Sequence, residues 1–143
     1  MSEVVTSRPV KLAKVSWALA VFVGVVFALI GAGLRGSGET AFRLADQIAM
    51  TGLGVCIAGA ALLLTRPRIV ADADGVRVRN VLGYRHFPWQ VVAAVRMDEG
   101  SSWASLDLQD DDTVGLLAVQ TNDGARAVEV VLELRRLLAA SRA

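Results

Sequence analysis

Cysteine is nearly absent from this sequence, and so is any excess of one charge. The 143 residues include one cysteine, and the formal net charge is +1. A single cysteine excludes a disulfide framework and any zinc site built from paired cysteines. A near-neutral balance lacks the basic excess that is typical of nucleic-acid-binding domains, so we expect no nucleic-acid partner.

Charge is missing altogether from two long apolar blocks, residues 15–34 and 47–65. The mean hydropathy of the chain is +0.49, high for a soluble domain of this size. At about 1.5 Å per residue, each block forms a helix that spans a hydrocarbon core of roughly 30 Å. Two alternative interpretations exist. The two blocks could be buried helices of a soluble protein, or the first block could be a cleaved signal peptide. The length of the first block and the second span after it favour a retained transmembrane hairpin.

Lysine and arginine gather at the two outer ends of this hairpin, whereas the connecting loop, 35–46, carries balanced charges. Because basic residues mark the cytoplasmic side of a membrane protein, we expect a multi-pass plasma-membrane protein with both termini cytoplasmic. Trp17 is typical of the aromatic belt at the membrane surface. The residues that we expect at the interface with lipid headgroups are Lys11, Lys14, Trp17, Arg66 and Arg68.

Small residues recur at four-residue intervals in both blocks and permit close helix packing. Two interpretations remain open: the two helices pack on each other, or they contact another membrane protein or a second copy of the chain. Neither span carries an ionisable residue, which argues against a transport pathway. The residues of these small-residue stripes are Gly24, Ala28, Ala32, Gly52, Cys56 and Ala60.

The pattern changes after Pro67, which ends the second helix. About six short apolar stretches follow, separated by turn signals such as Asp74-Gly75, and they predict strands of a small sandwich or barrel. A helical pattern at about 124–140 predicts a closing amphipathic helix. The chain therefore divides into an N-terminal segment at 1–14, a transmembrane hairpin at 15–65 and a cytoplasmic domain at 66–143.

The segment RPRIVADADGVRVRNVLGYRHFPWQVVAAVR resembles the pleckstrin-homology-like (PH-like) domain of small actinobacterial membrane proteins. The resemblance implies a bent antiparallel barrel or sandwich capped by a C-terminal helix. The fold class is thus a two-helix transmembrane hairpin followed by a small α+β PH-like domain. Eukaryotic PH domains hold inositol phosphates with a basic first hairpin loop, but residues 71–75 of this chain are acidic. This departure removes the main reason to expect inositol-phosphate binding.

Arginine is the other candidate binding residue of the domain. Arg77 and Arg79 share one face of a predicted strand, and Arg85 lies one strand later. These side chains are possible contacts for anionic headgroups or a partner protein. The alternatives are a solvated sheet face or pairing with aspartates such as Asp72 across the strands.

The sequence offers no constellation of acid, base and nucleophile. His86 lies at no recognisable motif spacing from a partner, so an ordinary packing role is the simpler interpretation. We therefore expect no catalytic residue, cofactor or metal site. The leading hypothesis is a non-enzymatic interaction module, a protein-binding or accessory subunit of a plasma-membrane complex or a self-associating protein. The alternative is a sensor or binder of anionic lipid headgroups at the inner membrane face.

Overall fold

The computed structural model of the protein describes residues 4–33 and 44–143. The chain forms two units, one comprising Met1–Lys11 with Arg66–Ala143 and the other comprising Leu12–Thr65. Most of the predicted loop at 35–46 lies outside the described residues, since the description resumes at Leu44.

Two helices make up most of the second unit: α1 (Val10–Gly33) and α2 (Leu44–Leu63). By length and composition, both are long and apolar enough to cross a membrane. Only 11% of the most apolar window of each helix is buried. A core helix of a soluble protein would be mostly buried. Most apolar side chains of these two helices are instead exposed on the surface of the chain.

The helical unit packs through a glycine of α2 and an aromatic residue of α1. A Cβ atom added to Gly54 would lie 2.8 Å from Cγ of Phe27, which is closer than a side chain tolerates. Gly54 and Ala61 are the buried residues of α2. The absence of a side chain at Gly54 therefore lets the Phe27 ring approach the α2 backbone.

The other unit is a pair of antiparallel sheets and a helix. The elements are β1 (Val5–Ser7), β2 (Arg68–Ala71), β3 (Gly75–Arg79), β4 (Tyr84–Pro88), β5 (Val92–Arg96), β6 (Trp103–Leu108), β7 (Thr113–Gln120) and α3 (Ala125–Ser141). The first sheet has the order β1-β2-β3-β4 and the second the order β5-β6-β7, and over the described residues the two sheets do not close into a barrel. The six predicted strands are confirmed, and so is the closing helix, α3.

The β2–β3 hairpin shows why the local sequence folds in this way. Val76 and Val78 are buried, and they alternate with Arg77 and Arg79 on the opposite face. In the turn, the Asp72 carboxylate accepts hydrogen bonds from the backbone N–H groups of Asp74 and Gly75, at 3.0 and 3.2 Å. The acidic loop thus stabilises its own turn.

Strand β1 was not anticipated from the sequence. Its three residues pair with β2, and Ser7 lies opposite Ile69. The Ser7 side chain is buried, and its hydroxyl donates to the backbone oxygen of Ala118 at 3.3 Å. The chain segment holding both apolar helices is therefore inserted between the first and second strands of the sheet.

The core lies between the two sheets and α3. Trp89 is 1% exposed, and its indole N–H donates to the backbone oxygen of Asp72 at 2.8 Å. Leu134 and Leu138 of α3 are buried in the same core. Helix α3 therefore covers apolar side chains of the sheets, as the sequence predicted.

Candidate binding surfaces

The outer face of the first sheet gathers three arginines. The strand register places Arg68 opposite Arg79, and Arg79 opposite Tyr84. In the next row on the same face, Val70 lies opposite Arg77. These five residues line a shallow groove of about 300 Å³. We call this surface the arginine face.

The charges of the arginine face are only partly balanced. Arg77 lies 3.4 Å from the Asp72 carboxylate. Among residues 4–33 and 44–143, Arg68 and Arg79 form no ion pair with an acidic side chain. Like charges directly opposite each other on a sheet destabilise it. The Arg68–Arg79 pair therefore favours an anion between the two guanidinium groups.

Arg85 does not belong to this surface, although the sequence placed it close to Arg77 and Arg79. It lies opposite Val78, on the other face of the sheet. Its guanidinium carbon lies 5.0 Å from the centre of the Phe87 ring, within the range of a cation–π contact. The structure thus brings together two of the three predicted arginines and adds Arg68 to them.

The residues expected at the lipid headgroups lie near the ends of the helices. Lys11, Lys14 and Trp17 are exposed in the first two turns of α1. Arg66 is exposed in the short connection to β2, next to the buried Pro67. Their contact with lipid stays a prediction.

The six residues of the small-residue stripes are all exposed. A Cβ atom added to Gly24 or Gly52 would meet no other atom within 4 Å. The described helices instead meet at Gly54, on the other side of α2 from Gly52. The stripes therefore do not form the described contact between α1 and α2.

A second groove lies beside α3, with a volume of about 310 Å³. Its floor is apolar, and two acidic residues stand at its rim. Sequence reasoning missed it because its lining comes from two separate parts of the chain, 97–99 and 121–135, which no local pattern brings together. We call it the α3 groove, and its lining residues are Met97, Asp98, Glu99, Thr121, Val128, Val131, Leu132 and Arg135.

The acidic residues and the histidine of the described chain do not form a metal-type cluster. Within the part of the chain that the structure describes, no group of three or more His, Cys, Asp or Glu residues could hold a metal ion. The single histidine, His86, lies on the exposed side of β4, opposite Arg77. The Asp110–Asp112 stretch forms a turn in which Asp111 has a φ of 62°.

Two antiparallel sheets followed by a closing helix are the architecture that the sequence resemblance implies. The family model described as "Bacterial PH domain" matches residues 66–137. The chain belongs to the bacterial PH domain family. The matched range begins after the apolar helices, so β1 adds a strand to this PH domain from outside it.

Relatives of the same kind occur in mycobacteria. The uncharacterized proteins Rv1417 of Mycobacterium tuberculosis and Mb1452 of Mycobacterium bovis are each 41% identical to the chain over 125 residues. The alignment covers 87% of this chain and 81% of each relative, so the similarity extends beyond the PH domain match. No solved structure matches the chain significantly. PH-like domains generally act as binding modules, so the arginine face and the α3 groove are the candidate binding surfaces of this chain.

Proposed function

We propose that the protein is a non-enzymatic, membrane-anchored binding module. Helices α1 and α2 cross the plasma membrane, and the PH domain is held at its cytoplasmic face. The arginine face binds the phosphate groups of anionic lipids there. This surface replaces the basic first loop of eukaryotic PH domains, because the corresponding loop of this chain is acidic.

Strand pairing supports a two-span anchor. Strand β1 precedes α1, β2 follows α2, and the two strands are neighbours in one sheet. With both helices in a membrane, this pairing favours a start of α1 and an end of α2 on the same side of it. Cleavage of α1 as a signal peptide would also remove β1 from the sheet. The basic residues around these helix ends favour the cytoplasmic side.

The connections to the helices are short. Two residues, Arg8 and Pro9, join β1 to α1, and four residues, 64–67, join α2 to β2. Four extended residues reach at most about 14 Å. With α2 in a membrane, this short connection supports a position of Arg68, the first residue of β2, near the membrane surface.

The observation that carries the proposal is the Arg68–Arg79 pair without an acidic partner among the described residues. Each arginine near an anionic membrane surface contributes about 1 kcal/mol of attraction. A lipid phosphate accepts hydrogen bonds from both guanidinium groups and offsets their mutual repulsion. The hydroxyl of Tyr84, at the end of the same row, supplies a further donor.

The test uses the full chain in nanodiscs, with a fluorophore on Leu82→Cys in a Cys56→Ser background. Leu82 is 96% exposed in the β3–β4 turn, between Arg79 and Tyr84 of the arginine face. We expect acrylamide to quench the fluorophore less in nanodiscs containing phosphatidylglycerol than in phosphatidylcholine nanodiscs. High salt should remove the difference, because it screens exposed charges.

Arg68→Gln combined with Arg79→Gln should abolish the lipid-dependent change. The matched control removes two arginines from α3, Arg126→Gln with Arg136→Gln, and should preserve it. Equal quenching in the two lipids, or equal loss in both double variants, would contradict the proposal.

A second candidate function is that of an accessory subunit of a larger plasma-membrane complex. The exposed small-residue stripes favour it, because close helix packing in a membrane uses such residues. Co-purification in mild detergent tests it: a reproducible membrane partner supports the idea, and a homogeneous monomer contradicts it.

A further inference from the structure

We propose that the α3 groove binds a cytoplasmic juxtamembrane segment of a neighbouring integral membrane protein. The segment places apolar side chains on the floor of the groove and a lysine or arginine at its acidic rim. The inference rests on the membrane anchoring in the proposed function, but not on lipid binding by the arginine face.

The floor of the groove is an apolar surface that the PH domain itself does not cover. Val128 and Leu132 lie four residues apart on α3 and are 51% and 56% exposed. The core-facing stripe of the helix is elsewhere, at residues such as Leu134 and Leu138. Adjacent exposed apolar side chains over a packed base are typical of a docking surface.

The rim of the groove supplies negative charge. Asp98 and Glu99 lie two and three residues after the end of β5, and Glu99 forms no ion pair within the described segments. Arg96 lies 3.5 Å from Asp98 but is also engaged with Asp107, whose hydrogen bond raises the pKa of the Arg96 guanidinium above its ordinary value. A cationic side chain of a partner would therefore complement the rim.

The arginine in the groove wall, Arg135, supplies one positive charge beside the two acidic residues, and the backbone fixes its position. The Nε–H of Arg135 donates to the carbonyl oxygen of Val95 at 2.9 Å. Arg142 donates to the carbonyl oxygens of Val92 and Ala93, each at 2.8 Å. These arginines occupy β5 carbonyls that an added strand would need. The partner therefore docks through its side chains, not by extending the sheet.

One wall of the groove lies close to the start of α1. Thr121 lines the groove, and Asp123 accepts a hydrogen bond from the backbone N–H of Lys11 at 3.2 Å. Lys11 is the second residue of α1. With α1 in the membrane, as proposed above, Lys11 marks the point at which the PH domain joins its anchor. Segments that flank spans on the cytoplasmic side are rich in lysine and arginine beside apolar residues, which is the chemistry that the groove requires.

The test is photo-cross-linking in living cells with the full chain carrying p-benzoylphenylalanine at Leu132. We expect an adduct whose cross-linked peptide contains lysine or arginine and lies within about 20 residues of a transmembrane span. The same photoreactive residue at Ala140, exposed in the last turns of α3, should not give this adduct. Asp98→Lys with Glu99→Lys should reduce its yield about tenfold, a loss of roughly 1.4 kcal/mol. Asp74→Lys with Asp110→Lys, the charge-matched control, should leave it unchanged.

The proposal is overturned if no adduct forms, or if the adduct contains only lipid, a soluble domain or a second copy of the chain. It is also overturned if the charge reversal at Asp98 and Glu99 leaves the adduct yield unchanged. Fractionation of the same cells separates this failure from that of the anchor. A chain found in the aqueous fraction refutes the anchor itself. A membrane-bound chain that gives none of the expected adduct refutes only the groove.

Discussion

The Ser7 hydroxyl donates to the backbone oxygen of Ala118, 111 residues further along the chain, at 3.3 Å. Ser7 lies before the first apolar helix, and Ala118 lies in the last strand of the PH domain. The contact ties the N-terminal segment into the domain core. It also means that the two apolar helices connect neighbouring strands of one sheet.

This contact predicts that Ser7→Ala destabilises the PH domain. The substitution removes a buried hydrogen bond, which costs on the order of 1 kcal/mol. Thr6→Ala is the matched control, since Thr6 lies in the same strand but pairs with Val70 on the outer face. Thermal unfolding of the full chain in detergent, followed by tryptophan fluorescence, should show a lower Tm for Ser7→Ala alone. Equal Tm values for the two variants would contradict the structural role of β1.

The sequence was sufficient to predict most of the PH domain but not β1. Alternating residues such as Val76 and Arg77 identified the strands with one buried face, and short apolar runs between turn signals identified the others. Strand β1 has three residues, and its partner lies beyond both apolar helices. No local periodicity can reveal so short and so distant a pairing. The same limit applies to the α3 groove, whose residues come from separate elements.

The buried indole of Trp89 predicts a contrast between two tryptophan variants. Trp89→Phe leaves the Asp72 carbonyl without its donor and a gap in the core, so we expect a loss of about 1–3 kcal/mol. Trp103 is 44% exposed, and Trp103→Phe should change stability much less. Urea unfolding of the full chain, followed by far-UV circular dichroism, measures both. A Trp103→Phe effect as large as that of Trp89→Phe would argue against this core.

The pair of Asp72 and Arg77 predicts that a substitution strengthens lipid binding. Asp72→Asn keeps a side-chain oxygen for the turn N–H groups but removes the negative charge that lies 3.4 Å from Arg77. A third arginine then becomes available on the arginine face. The difference in acrylamide quenching between anionic and neutral nanodiscs should increase. Asp110→Asn, in a turn on the other sheet, is the control, and an equal increase there would contradict the explanation.

The small-residue stripes show why a sequence pattern alone cannot locate a helix contact. Gly52 and Gly54 are two residues apart, so they project about 200° from each other around α2. Both helices are apolar on all sides, and hydrophobic periodicity therefore does not identify the packed face. The contact with Phe27 identifies Gly54 as the packed glycine and leaves Gly52 outside.

This difference predicts opposite effects for two glycine substitutions. Gly54→Leu would force the new side chain against Phe27, so we expect a lower melting temperature for the helices in detergent. A Cβ atom at Gly52 meets no described atom within 4 Å. Gly52→Leu should therefore leave the melting temperature unchanged, while weakening association with a membrane partner or a second copy. Far-UV circular dichroism measures the first effect, and detergent co-purification or chemical cross-linking measures the second. If Gly52→Leu lowered the melting temperature as much as Gly54→Leu, the small-residue stripe of α2 would be part of the interface between α1 and α2. If Gly52→Leu left every association intact, this stripe would have no role in assembly.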